Sequence, residues 1–189
     1  MNSSFFKFKT HLLITSVFVV ILLVISCENK IDKIPKSDLL TLPSVTFKDS
    51  ETFLTDSGKL QLVMSFPILE QYDNREDPYT EFTSGISVIF YDGKTEPVAT
   101  TTAKYAKYTK TNQTWELKDS VVVVNESKDK LETELLYWNQ DKDLIYTDRF
   151  VKITNKEQII QGFGFESDSR LVKRRIKKVN AIIYLKGEE

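Results

Sequence analysis

Three hydropathy patterns follow one another along the chain. From Leu12 to Ile25 the residues are apolar without a period, interrupted only by Thr15 and Ser16. From Glu28 to about Ser44 they are polar, with Pro35 and Pro43 and no sustained repeat. From Val45 onward the period is two, as expected of strands with one covered face. Val45 and Phe47 alternate with Thr46 and Lys48, and Leu60, Leu62, Met64 and Phe66 alternate with Gln61, Val63 and Ser65. Ile86, Val88 and Phe90 form another such set, as do Leu131, Thr133, Leu135 and Tyr137 between Glu132 and Glu134. Val151 and Ile153 flank Lys152, and Ala181, Ile183 and Leu185 end the series. Thr55–Gly58 reads as a turn, and Asp92-Gly93 as a hairpin turn, because such pairs tolerate the left-handed backbone a tight turn needs. Val121–Val124 is β-branched throughout, which predicts a strand that is covered on both faces or lies centrally. No amphipathic helix of three turns is expected after the apolar run.

The alternation also repeats weakly at a longer range: a strand, a turn, an aromatic residue, a short gap and an apolar strand. Its instances are Leu69, Phe82 and Ile86; Ala103, Trp115 and Val121; and Leu135, Tyr146 and Val151, with a degenerate fourth from Ile159 to Ile183. Stacked units of this kind bury their apolar faces against their neighbours. They predict an all-β fold of two facing antiparallel sheets. The first and last strands of such a stack are edges that must be charged, covered or docked.

The first segment changes the picture. Lys7 and Lys9 precede the apolar run, no acidic residue occurs before Glu28, and the run is shorter than the ~20 residues a spanning helix needs. This is the layout of an export signal. Val24-Ile25-Ser26-Cys27 resembles the lipobox of bacterial lipoproteins. The resemblance implies cleavage before Cys27, a diacylglyceryl thioether on its sulfur, and anchoring through two or more acyl chains. Expected, then, are a signal over residues 1–26, a flexible tether over 27–44 and a folded domain over 45–186.

Composition narrows the chemistry. The chain has 26 basic and 27 acidic residues, and the signal holds two of the former and none of the latter. The remainder is slightly acidic, so no nucleic-acid partner is expected. The one histidine, His11, lies in the signal, and Cys27 is the one cysteine. A processed chain would lack the groups for Ser-His or Cys-His catalysis and for zinc ligation, and no cofactor is expected. Gly162 and Gly164 are too few for a phosphate loop. Only carboxylate chemistry such as glycoside hydrolysis survives, through pairs such as Glu132/Glu134 or Asp141/Asp143. Pairs at that spacing commonly keep an outer strand face wet.

The ordered series Asp56–Lys59, Pro78–Phe82, Gly85–Tyr91, Trp115–Asn125 and Leu131–Asn139 resembles LptC, in the lipoprotein form seen in Bacteroidetes. LptC is the periplasmic component of the lipopolysaccharide-export ABC transporter. The resemblance covers most of residues 45–185 and rests on order and spacing, not on one motif. It implies a twisted, open β-jelly roll with a hydrophobic groove between its sheets and no chemistry of its own. The implied role is to take lipopolysaccharide from the inner-membrane permease subunits and hand it to a periplasmic bridge protein by head-to-tail docking of edge strands. Well-known members keep a transmembrane helix where this chain offers a cleavable signal and Cys27, which predicts a lipid anchor on the periplasmic face of the inner membrane.

On the alternation above, the residues expected to face the groove are Val45, Phe47, Leu62, Met64, Phe66, Phe82, Ile86, Val88, Phe90, Val121, Val123, Leu135, Tyr137, Val151 and Ile153. Each is equally a candidate for plain sandwich core, and a slip of one residue would turn a whole strand over. Lys173, Arg174, Arg175, Lys177 and Lys178 could meet phosphates, although such runs are commonly solvated strand faces. Tyr105, Tyr108, Trp115 and Trp138 could stack on sugars, although strand aromatics commonly pack. The rival reading is a passive envelope lipoprotein whose β-sandwich binds glycans or scaffolds a complex.

Overall fold

In the computed structural model the described residues are 42–184, and they form eleven strands with no helix among them. The expected signal, His11, Cys27, most of the tether and Leu185 lie outside the described residues. The strands are β1 (Val45–Asp56), β2 (Lys59–Tyr72), β3 (Tyr79–Phe82), β4 (Ile86–Phe90), β5 (Ala99–Ala103), β6 (Tyr105–Thr109), β7 (Thr114–Asn125), β8 (Lys130–Asn139), β9 (Leu144–Thr154), β10 (Gln158–Ser167) and β11 (Arg175–Tyr184).

They pair antiparallel in the order β11-β10-β9-β8-β7-β5-β4-β2-β3-β6, with β1 beside β2 and β6 also beside β7. The second pairing of β6 shows how one sheet makes two layers. The first half of β7 pairs with β6 and its second half with β5. Likewise the first half of β2 pairs with β4 and its last residues with β3. The long strands therefore run through both layers and bend between them. The bends coincide with slips in pairing: between Lys118 and Val121, between Thr133 and Tyr137, and between Phe163 and Phe165. There Asp119, Ser120 and Gly164 adopt φ of 60°, 57° and 73°. A bulge leaves a residue unpaired and sharpens the local twist, which turns a strand out of one layer into the other. The result is an all-β jelly roll.

The core fills the space between the layers. Residues directly opposite one another in an antiparallel pair share a face. This puts Leu62, Met64, Val88, Phe90, Val121, Val123, Leu131, Val151 and Ile153 on the inner face of the first layer. Phe82, Ala106, Leu117, Trp115, Leu136, Trp138, Ile145 and Phe165 share that of the second. The layers meet through Phe66 and Phe82, whose rings stand edge to face at 5.3 Å, and through Phe90 and Trp138 at 6.3 Å. Burying each such side chain contributes about 1.5–3 kcal/mol.

Three expectations change. The alternation carries Leu135 and Tyr137 inward, but the slip between Thr133 and Tyr137 brings Leu136 and Trp138 to the inner face instead. Leu135 and Tyr137 then face outward, where the Tyr137 hydroxyl donates to Glu116 at 3.0 Å. Asp92-Gly93 does turn left-handed, with φ of 51° and 72°, yet it closes no tight hairpin. The Gly93 amide bonds back to Leu60, and Tyr91–Val98 joins β4 to β5 as a longer loop. In the repeat, Trp115 and Val121 share one bent strand, as do Tyr146 and Val151, whereas Phe82 and Ile86 lie on two strands joined at Gly85. The turn at Ser57-Gly58 has φ of 50° and 76° and joins β1 to β2 as read from the sequence.

Candidate functional site

The interior is filled at the centre and uncovered at both ends. Of the residues expected to face a groove, Phe66, Phe82, Ile86, Val88, Val121, Val123, Val151 and Ile153 are buried, while Leu62, Met64 and Phe90 are half-buried against the same core. Val45 and Phe47 are exposed on β1. Phe47 lies opposite Leu69, which packs on the core, so it continues the inner face past the last covered strand. Leu54, opposite Leu62, does the same and is 54% exposed.

The far end mirrors this. Ile182 lies opposite Ile160, which lies opposite the inward Ile153, and Val179 lies opposite Gly162 beside Val151. Both are about half exposed, at 49% and 50%. β1 pairs only with β2 and β11 only with β10, so the sheet does not close on itself. An apolar inner face thus runs from one unpaired edge strand to the other. Sequence reasoning missed Leu54, Val179 and Ile182, although the apolar stretch Ala181–Tyr184 was the available signal.

The edges differ in charge. Along β1 stand Lys48, Asp49, Glu51 and Asp56, whereas β11 carries Arg175, Lys177 and Lys178. Part of the basic run is matched within the chain: Arg175 and Lys177 bond Glu166 at 2.5 and 2.6 Å, and Arg174 bonds Asp129 at 2.7 Å. The hydrogen bonds from Lys177 and Arg175 hold the Glu166 carboxyl below the usual carboxylate value.

The aromatic candidates divide between the faces. Trp115 and Trp138 are cross-strand neighbours on the inner face, and Trp115 packs on Tyr108 at 4.9 Å and Phe82 at 5.8 Å. Both indole N–H groups are buried without a protein acceptor. Tyr105 faces outward and donates to Glu81 at 2.5 Å; burial first, and that bond second, push its ionisation well above the ordinary tyrosine value. Tyr137 is raised in the same way by burial and Glu116.

Of the carboxylate pair on β8, Glu134 lines a surface cavity beside Asp119, whereas Glu132 does not. Glu132 meets Lys130 at 2.8 Å and Lys152 at 3.5 Å, and its bond from Lys130 holds its carboxyl below the usual carboxylate value. Asp143 accepts the Ser169 amide at 3.1 Å. Among the described residues the buried polar side chains are Thr133, Thr147 and Ser167. Among those residues too, no group of His, Cys, Asp or Glu could hold a metal ion, and no helix is long and apolar enough to cross a membrane.

Two surface cavities lie along the bend. One, of about 530 Å³, is lined by Leu135, Phe150 and Phe163 together with Asp119, Glu134 and Arg149, and the other, of about 510 Å³, lies between β1, β2 and the start of β4.

These features define an open β-jelly roll whose apolar interior reaches two free sheet edges. The model of the LptC-related lipopolysaccharide-assembly family matches residues 12–183, nearly the whole chain. The protein belongs to that family, and its role lies in the transport and assembly of lipopolysaccharide at the cell envelope. A search of curated proteins gave no match.

Proposed function

We propose that this jelly roll is a lipid trough that accepts lipopolysaccharide from the inner-membrane permease subunits and passes it to a periplasmic bridge protein. The observation that carries this reading is the apolar inner face left uncovered at both unpaired edges. An acyl chain needs a continuous apolar path, and a closed sandwich offers none. A passive glycan-binding sandwich would need capped edges, whereas β1 and β11 are each paired on one side only. The acyl contacts are Val45, Phe47, Leu54, Leu62, Met64, Phe90, Val179 and Ile182; the buried inner residues form the floor beneath them. Residues 1–26 act as a cleaved signal, Cys27 carries the lipid anchor, and residues 28–44 tether the trough beside the permease. The free edges dock strand to strand with permease and bridge.

Site-specific photocrosslinking in cells tests the trough. Probes at Phe47, Leu54 and Ile182, which share the inner face, should label lipopolysaccharide. Probes at Phe53 and Ile183, exposed on the same two strands but turned outward, should not. Equal labelling of both faces would remove the reading.

A further inference from the structure

The loop Asp168–Arg174 between β10 and β11 does more than join two strands. Leu171, at its tip, is 4% exposed and packs in the central core, although its neighbour Val172 is 70% exposed. Its backbone is left-handed, with φ of 56°, an unfavourable setting for a residue with a side chain. The loop is organised internally by Asp168. The Leu171 amide bonds its carbonyl oxygen at 3.0 Å, and the Val172 and Lys173 amides bond its carboxylate at 2.7 and 3.1 Å.

The loop is fastened across the two layers. β10 ends in the second layer, where Ser167 pairs with Ile145, and the Ser169 amide bonds Asp143 in the turn between β8 and β9. The remaining ties reach the first layer. Arg174 bonds Asp129 just before β8, and Arg170 lies 3.6 Å from Asp92 just after β4. These turns lie at the ends of the strands away from the bend, along the mouth of the folded sheet. Trp115, Trp138 and Phe90 lie at the same strand ends. Both ion pairs are partly or largely solvated, a setting in which such pairs are weak and screened by salt.

We propose that Asp168–Arg174 is a releasable strap over the mouth of the trough, with Leu171 occupying the place of an acyl chain until lipid displaces it. The lipid-trough reading underlies this step. In the filled state an acyl chain replaces one apolar side chain in the core, so the exchange loses little burial. The ion pairs to Asp129 and Asp92 set how often the mouth is open. The loop returns as a unit because Asp168 keeps its shape.

The test uses the full chain, purified and mixed with lipopolysaccharide carrying brominated acyl chains. Quenching of Trp115 and Trp138, the two tryptophans of the chain, reports entry. Asp129→Asn and Arg174→Gln should each speed association about three- to fivefold, the factor one partly buried ion pair is worth. The double variant should be no faster than either single one, and the variants should be accelerated less by salt than the wild type, because only the Arg170–Asp92 pair is left to screen. Bridging Asp129→Cys and Arg174→Cys with a short bismaleimide should slow entry at least tenfold, with Arg174→Cys alone as control. Thermal melting checks that each variant is folded. Failure of the wild type to show any quenching would remove the trough itself. Quenching with unchanged rates in the latch variants and in the bridged protein would overturn the strap and leave the trough standing.

Discussion

Tyr72, Tyr105 and Tyr137 all ionise late, chiefly because burial disfavours the charged ring, and each also donates to a glutamate or lies beside one. Their folded-state values lie above those of the unfolded chain. The stability they add is therefore fully present below pH ~10 and is lost as the pH rises through the raised values. In an alkaline titration followed by tyrosinate absorbance, part of the eight-tyrosine signal should appear only as the protein unfolds. Tyr105→Phe should shrink that late step, and a single smooth transition near pH 10 would contradict the buried settings. Residue identity also hid one feature. Nothing in the string around Leu171 marks a buried side chain, because it packs on core residues distant in sequence and its loop is tied to Asp92, Asp129 and Asp143, which are distant too.

At the scale of the strand, period two was readable wherever the strand was regular. Ile86, Val88, Val121, Val123, Val151 and Ile153 are all buried on the face the alternation assigns. The reading failed at Leu135 and Tyr137 because a bulge slips the parity halfway along β8. The adjacent apolar pair Leu135-Leu136 was the visible sign, since strict alternation has no place for both. The two leucines should separate in experiment. Leu136→Ala, which empties a site that is 2% exposed, should cost about 2–5 kcal/mol, and Leu135→Ala under about 1.5 kcal/mol. Chemical denaturation of the two variants measures this, and the reverse order would restore the unslipped register. Val45 and Phe47 failed differently. Their face was right, but a sequence shows which way a side chain points and not whether another strand lies beyond it.

At the scale of the whole molecule, the all-β class and the two-layer stack were legible in the repeat, whereas the way the layers join was not. The joining depends on which half of β7 meets β5 and which meets β6, a choice made by bulges and not by hydropathy. The free edges follow from that topology. A proline on β11 removes a donor from the edge and blocks addition of a further strand. On the proposed strand-to-strand docking, Ile183→Pro should weaken capture of the bridge protein by about tenfold or more while lowering the melting temperature by only a few degrees, since the residue lies near the end of a strand paired on one side. Pull-down with the purified bridge partner, beside a thermal melt, gives both numbers. Equal loss of fold and capture would detach docking from this edge.

The bend has a mechanical consequence. β7, β8, β9 and β10 pass without a break from one layer into the other, so the two walls cannot slide past each other as separate plates would. The compliant motion left is a change of angle along the line through Asp119, Ser120 and Gly164. A change in that angle displaces the strand ends farthest from the line most, and Trp115 and Trp138 stand close to such ends.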